Sequence, residues 1–137
     1  MSMKEYDTIM DSIMESYGED LVYKMEVGEA LSGSKIWAYA FFSSLYPTKS
    51  RKSDLTYRET ILLTAVHHAR ELTTISQVVL QMLTILYRYE AGDVFTLALL
   101  EKAAVITIPI VNIDGVNLID KIYQQSGELE AVRKNQR

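Results

Sequence analysis

The stretch that decides the fold is Ile61-Leu62-Leu63-Thr64-Ala65-Val66-His67-His68-Ala69-Arg70-Glu71, an apolar run that ends in a short polar segment. The apolar run predicts a strand over Thr60–Val66, and the polar segment opens a long amphipathic stretch, so we expect the strand to pass into a helix here. His68 and Glu71 are three residues apart, which places both side chains on the same side of a helical turn. Imidazole nitrogen and carboxylate oxygen are both zinc ligands, so one metal ion could contact both.

Two ligands do not complete a zinc site. Catalytic zinc normally takes three protein ligands and leaves the fourth position to water. The chain has two histidines, His67 and His68, and no cysteine. A purely structural role is therefore the alternative to metal binding. In that role the histidine is a hydrogen-bonded structural residue, and Glu71 caps the following helix, where the helix dipole favours a carboxylate.

Composition is typical of a soluble globular protein. The chain has 137 residues, of which 48% are hydrophobic, and a formal net charge of -4, enough for one domain with a core of its own. The near balance of charge argues against a nucleic-acid surface. Met1–Tyr17 carries acidic residues throughout, so no secretory signal is predicted, and no stretch is long and apolar enough to span a bilayer.

Helical and strand periodicities alternate along the chain. Met3–Tyr17 repeats apolar residues at three- and four-residue steps before Gly18, which predicts an amphipathic helix. Leu21–Val27 and Ile36–Phe42 predict two strands in an antiparallel hairpin. The remaining predictions are a surface loop over Tyr46–Thr56, a long helix with an apolar stripe from Ile75 to Leu86, a short helix over Val94–Lys102, a buried strand over Val105–Val111, and a weak helix or loop over Val116–Gln125.

This order predicts an α/β domain with a mixed sheet, antiparallel at its beginning and parallel further in, with helices on its faces. Function in such sheets gathers at the carboxyl ends of the strands. His67–Glu71 follows the third strand and Asn112–Gly115 follows the fourth, so the two segments are neighbours if those strands are adjacent and parallel. Asp114 could then bind a metal or orient a ligand, but Asn, Asp and Gly after a strand are also ordinary turn formers, and we prefer that interpretation.

Three segments resemble the first part of the catalytic domain of the zinc metallocarboxypeptidases, the family typified by pancreatic carboxypeptidases A and B. His68-Ala69-Arg70-Glu71 matches the family's His-x-x-Glu zinc motif, including its usual arginine. In the family's order, Asn112-Ile113-Asp114-Gly115 resembles its Asn-Pro-Asp-Gly segment, and Arg133-Lys134-Asn135 resembles the segment with its substrate-polarising arginine. We therefore interpret residues 1–137 as a single partial domain, the N-terminal portion of an incomplete α/β/α catalytic domain.

The resemblance implies a function and a set of site residues. The family's enzymes use Zn²⁺ to remove C-terminal residues from peptides or proteins, so the implied partner is a peptide or protein C-terminus. His68 and Glu71 would be two zinc ligands, with His67 a neighbouring non-ligand. Arg70 would bind the substrate, and Arg133 would bind it, polarise the scissile carbonyl and stabilise the oxyanion. Secretion is common in the family, although this chain shows no signal peptide.

The chain also departs from the family's pattern. The family's third zinc ligand, a downstream histidine, and its general base, a glutamate, have no matching segment before Arg137. The 137 residues are therefore expected to be inactive alone and to leave an open sheet edge with an uncovered apolar face. The alternative function is a non-catalytic α/β binding module or a remnant of that family.

Overall fold

The structure is a computed structural model that describes residues 1–18, 21–43 and 51–127. Its helices and strands are, in chain order, α1 (Met3–Tyr17), β1 (Val22–Glu29), β2 (Lys35–Phe41), α2 (Arg51–Thr56), β3 (Glu59–Thr64), α3 (Thr73–Glu90), α4 (Val94–Lys102), β4 (Ala103–Ile108) and α5 (Ile113–Ser126). Within these ranges, no helix is long and apolar enough to cross a membrane.

The strands form one mixed sheet with the order β1-β2-β4-β3. β1 pairs antiparallel with β2, β2 pairs antiparallel with β4, and β3 lies parallel to β4. The parallel pair is possible because the chain between β3 and β4 includes α3 and α4, which provide the long crossover that parallel strands need. The predicted α/β fold, antiparallel at first and parallel further in, is confirmed.

Two apolar clusters lie on opposite faces of this sheet. Successive strand residues point to opposite faces, so Tyr39 and Phe41 belong to one cluster and Ala40 to the other. The larger cluster joins the first face to α1, α3 and α5. On the second face, Leu55 of α2 packs against the smaller cluster. Helices therefore cover parts of both faces.

The first helix forms where its sequence predicts it. The Ser2 hydroxyl accepts a hydrogen bond from the Glu5 N–H, and the Glu5 carboxylate accepts one from the Ser2 N–H, so two amide donors at the helix start are satisfied. The helix ends at Tyr17, with Gly18 as its C-terminal cap. Its buried residues recur at three- and four-residue steps: Tyr6, Met10 and Ile13.

Two segments are more regular than their sequences predict. Residues 51–56, which we expected to lie in a surface loop, form α2, while residues 46–50 of that predicted loop lie outside the described residues. The stretch predicted as a weak helix or loop belongs to the full helix α5. Both ends of α5 are capped, because the Asn112 side chain accepts from the Gly115 N–H and Gly127 adopts a left-handed conformation at φ 72°.

A buried ion pair explains why α2 forms in a polar sequence. Arg58 Nε lies 3.1 Å from Asp54 Oδ1, and the two side chains are 4% and 6% exposed. The same guanidinium donates hydrogen bonds to the backbone carbonyls of Ser43, Leu100 and Glu101. The end of β2, the helix α2 and the end of α4 are thus joined by one side chain, a set of contacts that the local pattern of residues 51–56 does not encode.

The parallel strand β3 lies at one edge of the sheet. Ile61 and Leu62, which point to opposite faces of the sheet, are 47% and 59% exposed. Exposed apolar residues also lie on α3 and α4, the two helices of the crossover. They are Leu80, Leu83, Tyr87, Val94, Phe95, Leu97 and Leu99. Among the described residues, β3 therefore leaves a sheet edge open and these side chains leave apolar surface exposed to solvent.

Helix α5 packs closely on the segment that follows β3. A Cβ atom added to Gly115 would lie 2.6 Å from the Ala69 Cβ and 2.8 Å from both side-chain heteroatoms of Asn112. Real Cβ atoms do not approach one another so closely, so a residue without a side chain is required at position 115. The contact fixes the start of α5 against the middle of the His-x-x-Glu segment.

Removing the buried arginine is expected to destabilise the fold strongly. Arg58→Met removes the buried guanidinium that pairs with the Asp54 carboxylate, and we expect the free energy of unfolding to fall by about 3–5 kcal/mol. Urea unfolding followed by circular dichroism measures the change.

Lys35→Met is the matched control for Arg58→Met. Lys35 also pairs with carboxylates, Glu26 and Glu29, but these side chains are 41% to 54% exposed. Exposed ion pairs are screened by solvent and contribute little to stability, so the control should be nearly neutral. Equal losses in the two variants would contradict the structural importance of the buried pair.

The close approach at Gly115 gives a second prediction. Gly115→Ala is expected to lower the free energy of unfolding by about 1–3 kcal/mol because the new methyl group overlaps Ala69. Gly28→Ala is the control, since an added Cβ there meets nothing closer than 3.6 Å. Adding Ala69→Gly to Gly115→Ala should recover part of the loss in urea unfolding. A double variant as unstable as the single one would show that the overlap is not the cause.

Candidate metal centre

The site is built where β3 and β4 end side by side. The parallel pairing continues past both strands, because the Ala65 N–H donates to the Ile108 carbonyl and the Val111 N–H donates to the Ala65 carbonyl, at 3.0 and 3.1 Å. One residue further, the Asn112 N–H donates to the Val66 carbonyl at 3.0 Å. The segments after the third and fourth strands are therefore neighbours, as the sequence predicted for adjacent parallel strands.

Val66 turns the chain away from the sheet with an unusual backbone conformation. Its φ is 51°, and it is the one non-glycine residue with a positive φ in the described part of the chain. A β-branched side chain is disfavoured in this region, and such strain persists only where the surroundings hold it. Val66 is 1% exposed, so its side chain lies in the core, whereas the next residue, His67, is exposed.

His68 and Glu71 lie on a tight turn. The Glu71 N–H donates to the His68 carbonyl at 3.0 Å, and α3 begins only at Thr73. Our prediction of a helix at the motif was therefore wrong. Leu72 holds the N-cap position and makes no side-chain capping bond, so Glu71 does not lie in the first helical turn. The turn nevertheless brings the two side chains together, because its two ends are close by construction.

The distance between the two side chains fits a metal. His68 Nδ1 lies 3.4 Å from Glu71 Oε1, and the side chains are 41% and 45% exposed. This distance is long for a hydrogen bond. Two ligand atoms at about 2.1 Å from a tetrahedral zinc ion are themselves about 3.4 Å apart. The pair therefore matches the spacing of two zinc ligands and is open to solvent.

His67 faces a different partner. Its Nε2 lies 2.9 Å from the Thr64 hydroxyl, and its carbonyl accepts a 3.5 Å bond from the Asn112 side-chain amide. Of the two histidines, His68 is the one whose ring meets a carboxylate. Arg70 is exposed on the same turn.

Asp114 belongs to the architecture of the site. It is 8% exposed, and its carboxylate accepts hydrogen bonds from the backbone N–H and the hydroxyl of Ser32, in the turn between β1 and β2. Asn112 caps α5 through the Gly115 N–H. The preferred interpretation of Asn112–Gly115 as an ordinary turn was therefore wrong, because Asn112 is the N-cap of α5 and residues 113–115 lie in its first turn.

No third metal ligand accompanies His68 and Glu71 in the described ranges. Residues 1–18, 21–43 and 51–127 contain no group of three His, Cys, Asp or Glu side chains that could hold a metal ion. Arg133, the predicted carbonyl-polarising residue, lies outside the described residues.

Two polar residues of the site, Ser32 and Thr74, were not predicted from the sequence. Ser32 binds Asp114 from a turn that is 82 positions away in the chain, so no local signal could reveal it. Thr74 bridges the segment that precedes it, accepting from the Val66 N–H and donating to the Glu71 carbonyl. Threonine near a helix start often bonds nearby backbone groups, which is a weak but real signal.

Comparison with solved structures identifies the fold. The chain is similar to thrombin-activatable fibrinolysis inhibitor, with a TM-score of 0.68 and 18% identity over 99% of this chain and 30% of that one. The bovine protein in complex with tick carboxypeptidase inhibitor gives a TM-score of 0.65 and 18% identity over 100% of this chain and 37% of that one. Carboxypeptidase A from Helicoverpa armigera gives a TM-score of 0.64 and 16% identity over 100% of this chain and 29% of that one. The chain thus spans about a third of the length of these proteins.

Comparison of the sequence identifies the family. No curated protein matches the chain. A family model described as zinc carboxypeptidase matches residues 6–137, which include both strand ends and the His-x-x-Glu turn. The chain therefore belongs to the zinc carboxypeptidase family.

Proposed function

We propose that the chain contributes the N-terminal part of the catalytic domain of a zinc-dependent metallocarboxypeptidase, an enzyme that removes C-terminal residues from peptides or proteins. The observation that supports this most directly is the 3.4 Å separation of His68 Nδ1 and Glu71 Oε1 on a solvent-open turn. Membership of the zinc carboxypeptidase family supports the choice of metal. Zinc, when bound, supplies a Lewis acid for the scissile carbonyl and activates water at neutral pH.

The two proposed ligands are held by backbone geometry. The His68–Glu71 turn fixes their separation, and the contact of Ala69 with Gly115 fixes the turn against α5. Neither side chain has to be brought from a distant element when a metal binds. Such preorganisation lowers the conformational cost of binding.

Arg70 and Arg133 are the proposed substrate-binding residues. Arg70 is exposed beside the metal-binding pair, where its guanidinium could donate two parallel hydrogen bonds to a carboxylate or to peptide carbonyls. For Arg133 we propose the additional catalytic role of polarising the scissile carbonyl and stabilising the oxyanion. A fixed cation acts there on charge that develops in the transition state.

We propose that the 137 residues bind zinc without turnover on their own. Catalytic zinc takes three protein ligands, whereas the described residues bring two donors together. This observation also favours the second candidate function, a non-catalytic α/β binding module or remnant of the family. The two functions differ in hydrolysis of a blocked C-terminal dipeptide by a longer protein that contains this chain, which only the enzyme would catalyse.

Zinc binding by the 137-residue chain tests the proposed ligands. His68→Ala and Glu71→Gln should each weaken zinc binding by at least about tenfold, because loss of a ligand exceeds the usual cost of losing a group that only orients one. Competition with a coloured chelator measures the affinity.

His67→Ala is the matched control, since His67 contacts Thr64 and not Glu71. It should bind zinc as the wild type does. Loss of binding in His67→Ala with retention in His68→Ala would contradict the assignment. Hydrolysis of the blocked dipeptide by the zinc-loaded chain would contradict its proposed inactivity.

A further inference from the structure

The hydroxyl group of Thr74 spans the segment that carries the proposed zinc ligands. Thr74 lies in the first turn of α3, which begins at Thr73. Its Oγ1 accepts a 3.2 Å hydrogen bond from the Val66 N–H and donates a 2.7 Å hydrogen bond to the Glu71 carbonyl. Val66 immediately precedes the two histidines, and Glu71 is the second donor. One hydroxyl therefore joins the two ends of the segment.

The first of these hydrogen bonds satisfies a buried backbone N–H group. Val66 has a positive φ of 51° and is buried, so its N–H needs a partner inside the protein. Thr74 supplies that partner, while the Val66 carbonyl accepts from the Asn112 N–H. The strained residue is thus held on one side by α3 and on the other by the chain that leaves β4.

Thr74 donates two hydrogen bonds to the Glu71 carbonyl. The Glu71 carbonyl accepts from both the backbone N–H of Thr74, at 3.0 Å, and its hydroxyl, at 2.7 Å. The backbone bond would survive any substitution except proline. The hydroxyl bond adds the link to Val66, and only a side chain that both donates and accepts can make it.

We propose that Thr74 is a positioning residue for the metal-binding pair. Its hydroxyl sets the path of the chain between Val66 and Glu71, and with it the separation of His68 Nδ1 and Glu71 Oε1. Thr74 contacts neither donor side chain in these bonds, so it acts through the backbone. The proposal rests on the proposed function, in which His68 and Glu71 bind zinc.

Two other side chains also form hydrogen bonds with the segment, at His67. The bond from the Asn112 amide to the His67 carbonyl is 3.5 Å long, at the limit for a hydrogen bond. The Thr64 hydroxyl contacts the His67 ring, which is not a proposed ligand. Thr74 alone among these residues bonds the backbone on both sides of the His68–Glu71 turn.

Substitutions at Thr74 separate the hydroxyl from the rest of the side chain. Thr74→Val keeps the shape and removes the hydroxyl, Thr74→Ala removes it while leaving room for water, and Thr74→Ser restores it. Thr84→Val is the matched control, because the Thr84 hydroxyl also bonds a backbone carbonyl, that of Leu80, but within α3. Circular dichroism and urea unfolding identify the variants that fold.

Two measurements on these variants test the role. Amide hydrogen exchange at Val66, followed by NMR without metal, reports the bond to the hydroxyl. Competition with a coloured chelator reports zinc affinity. We expect faster Val66 exchange and about tenfold weaker zinc binding in Thr74→Val and Thr74→Ala. Thr74→Ser and Thr84→Val should match the wild type in both.

The outcomes distinguish this inference from the function on which it rests. Wild-type zinc affinity in folded Thr74→Val and Thr74→Ala would overturn the positioning role and leave the proposed ligands intact. Weakened binding that Thr74→Ser fails to restore would also overturn it, because the hydroxyl would not be the cause. If the wild-type chain bound no zinc, the proposed zinc binding by these 137 residues would fail, and the positioning role with it.

Discussion

The parallel pairing of β3 with β4 is the constraint on which the rest of the structure depends. It aligns Glu59–Thr64 with Ala103–Ile108 residue for residue, and its hydrogen bonds continue to Val66 and Asn112. Two segments that are 45 positions apart in the chain, at His67 and Asn112, therefore meet at the carboxyl ends of these two strands. Without that register, Gly115 would not reach Ala69 and the His-x-x-Glu turn would have no support.

The site combines a closely packed backbone with exposed side chains of the two proposed zinc ligands. Val66, Ala69 and Gly115 are buried and closely packed, whereas the side chains of His68 and Glu71 are nearly half exposed. Dense packing below the turn limits its movement, and exposure above it leaves both donors free to meet a ligand. The same sheet is open at β3, where Ile61 and Leu62 reach solvent. A sheet edge of this kind can pair with further chain.

Much of the fold could be predicted because its signals are local. The three- and four-residue repeat of Tyr6, Met10 and Ile13 predicts α1, and the alternation in β1 followed by the apolar run of β2 predicts their hairpin. The helix at residues 51–56 was missed because it depends on Asp54 meeting Arg58 and on Arg58 meeting backbone carbonyls far along the chain. The start of α5 was missed because Asn112, Asp114 and Gly115 were interpreted as turn formers, whereas Asn112 caps the helix.

The sequence by itself determined the α/β fold, the family resemblance and the identity of the candidate metal-binding pair, because each follows from residue type and spacing along the chain. Only the tertiary structure decided how the pair is held. The positive φ of Val66, the bridge made by Thr74 and the bond from Ser32 to Asp114 depend on backbone direction and on contacts between elements. Residue spacing placed His68 beside Glu71, but the packed sheet made their turn tight where a helix was expected.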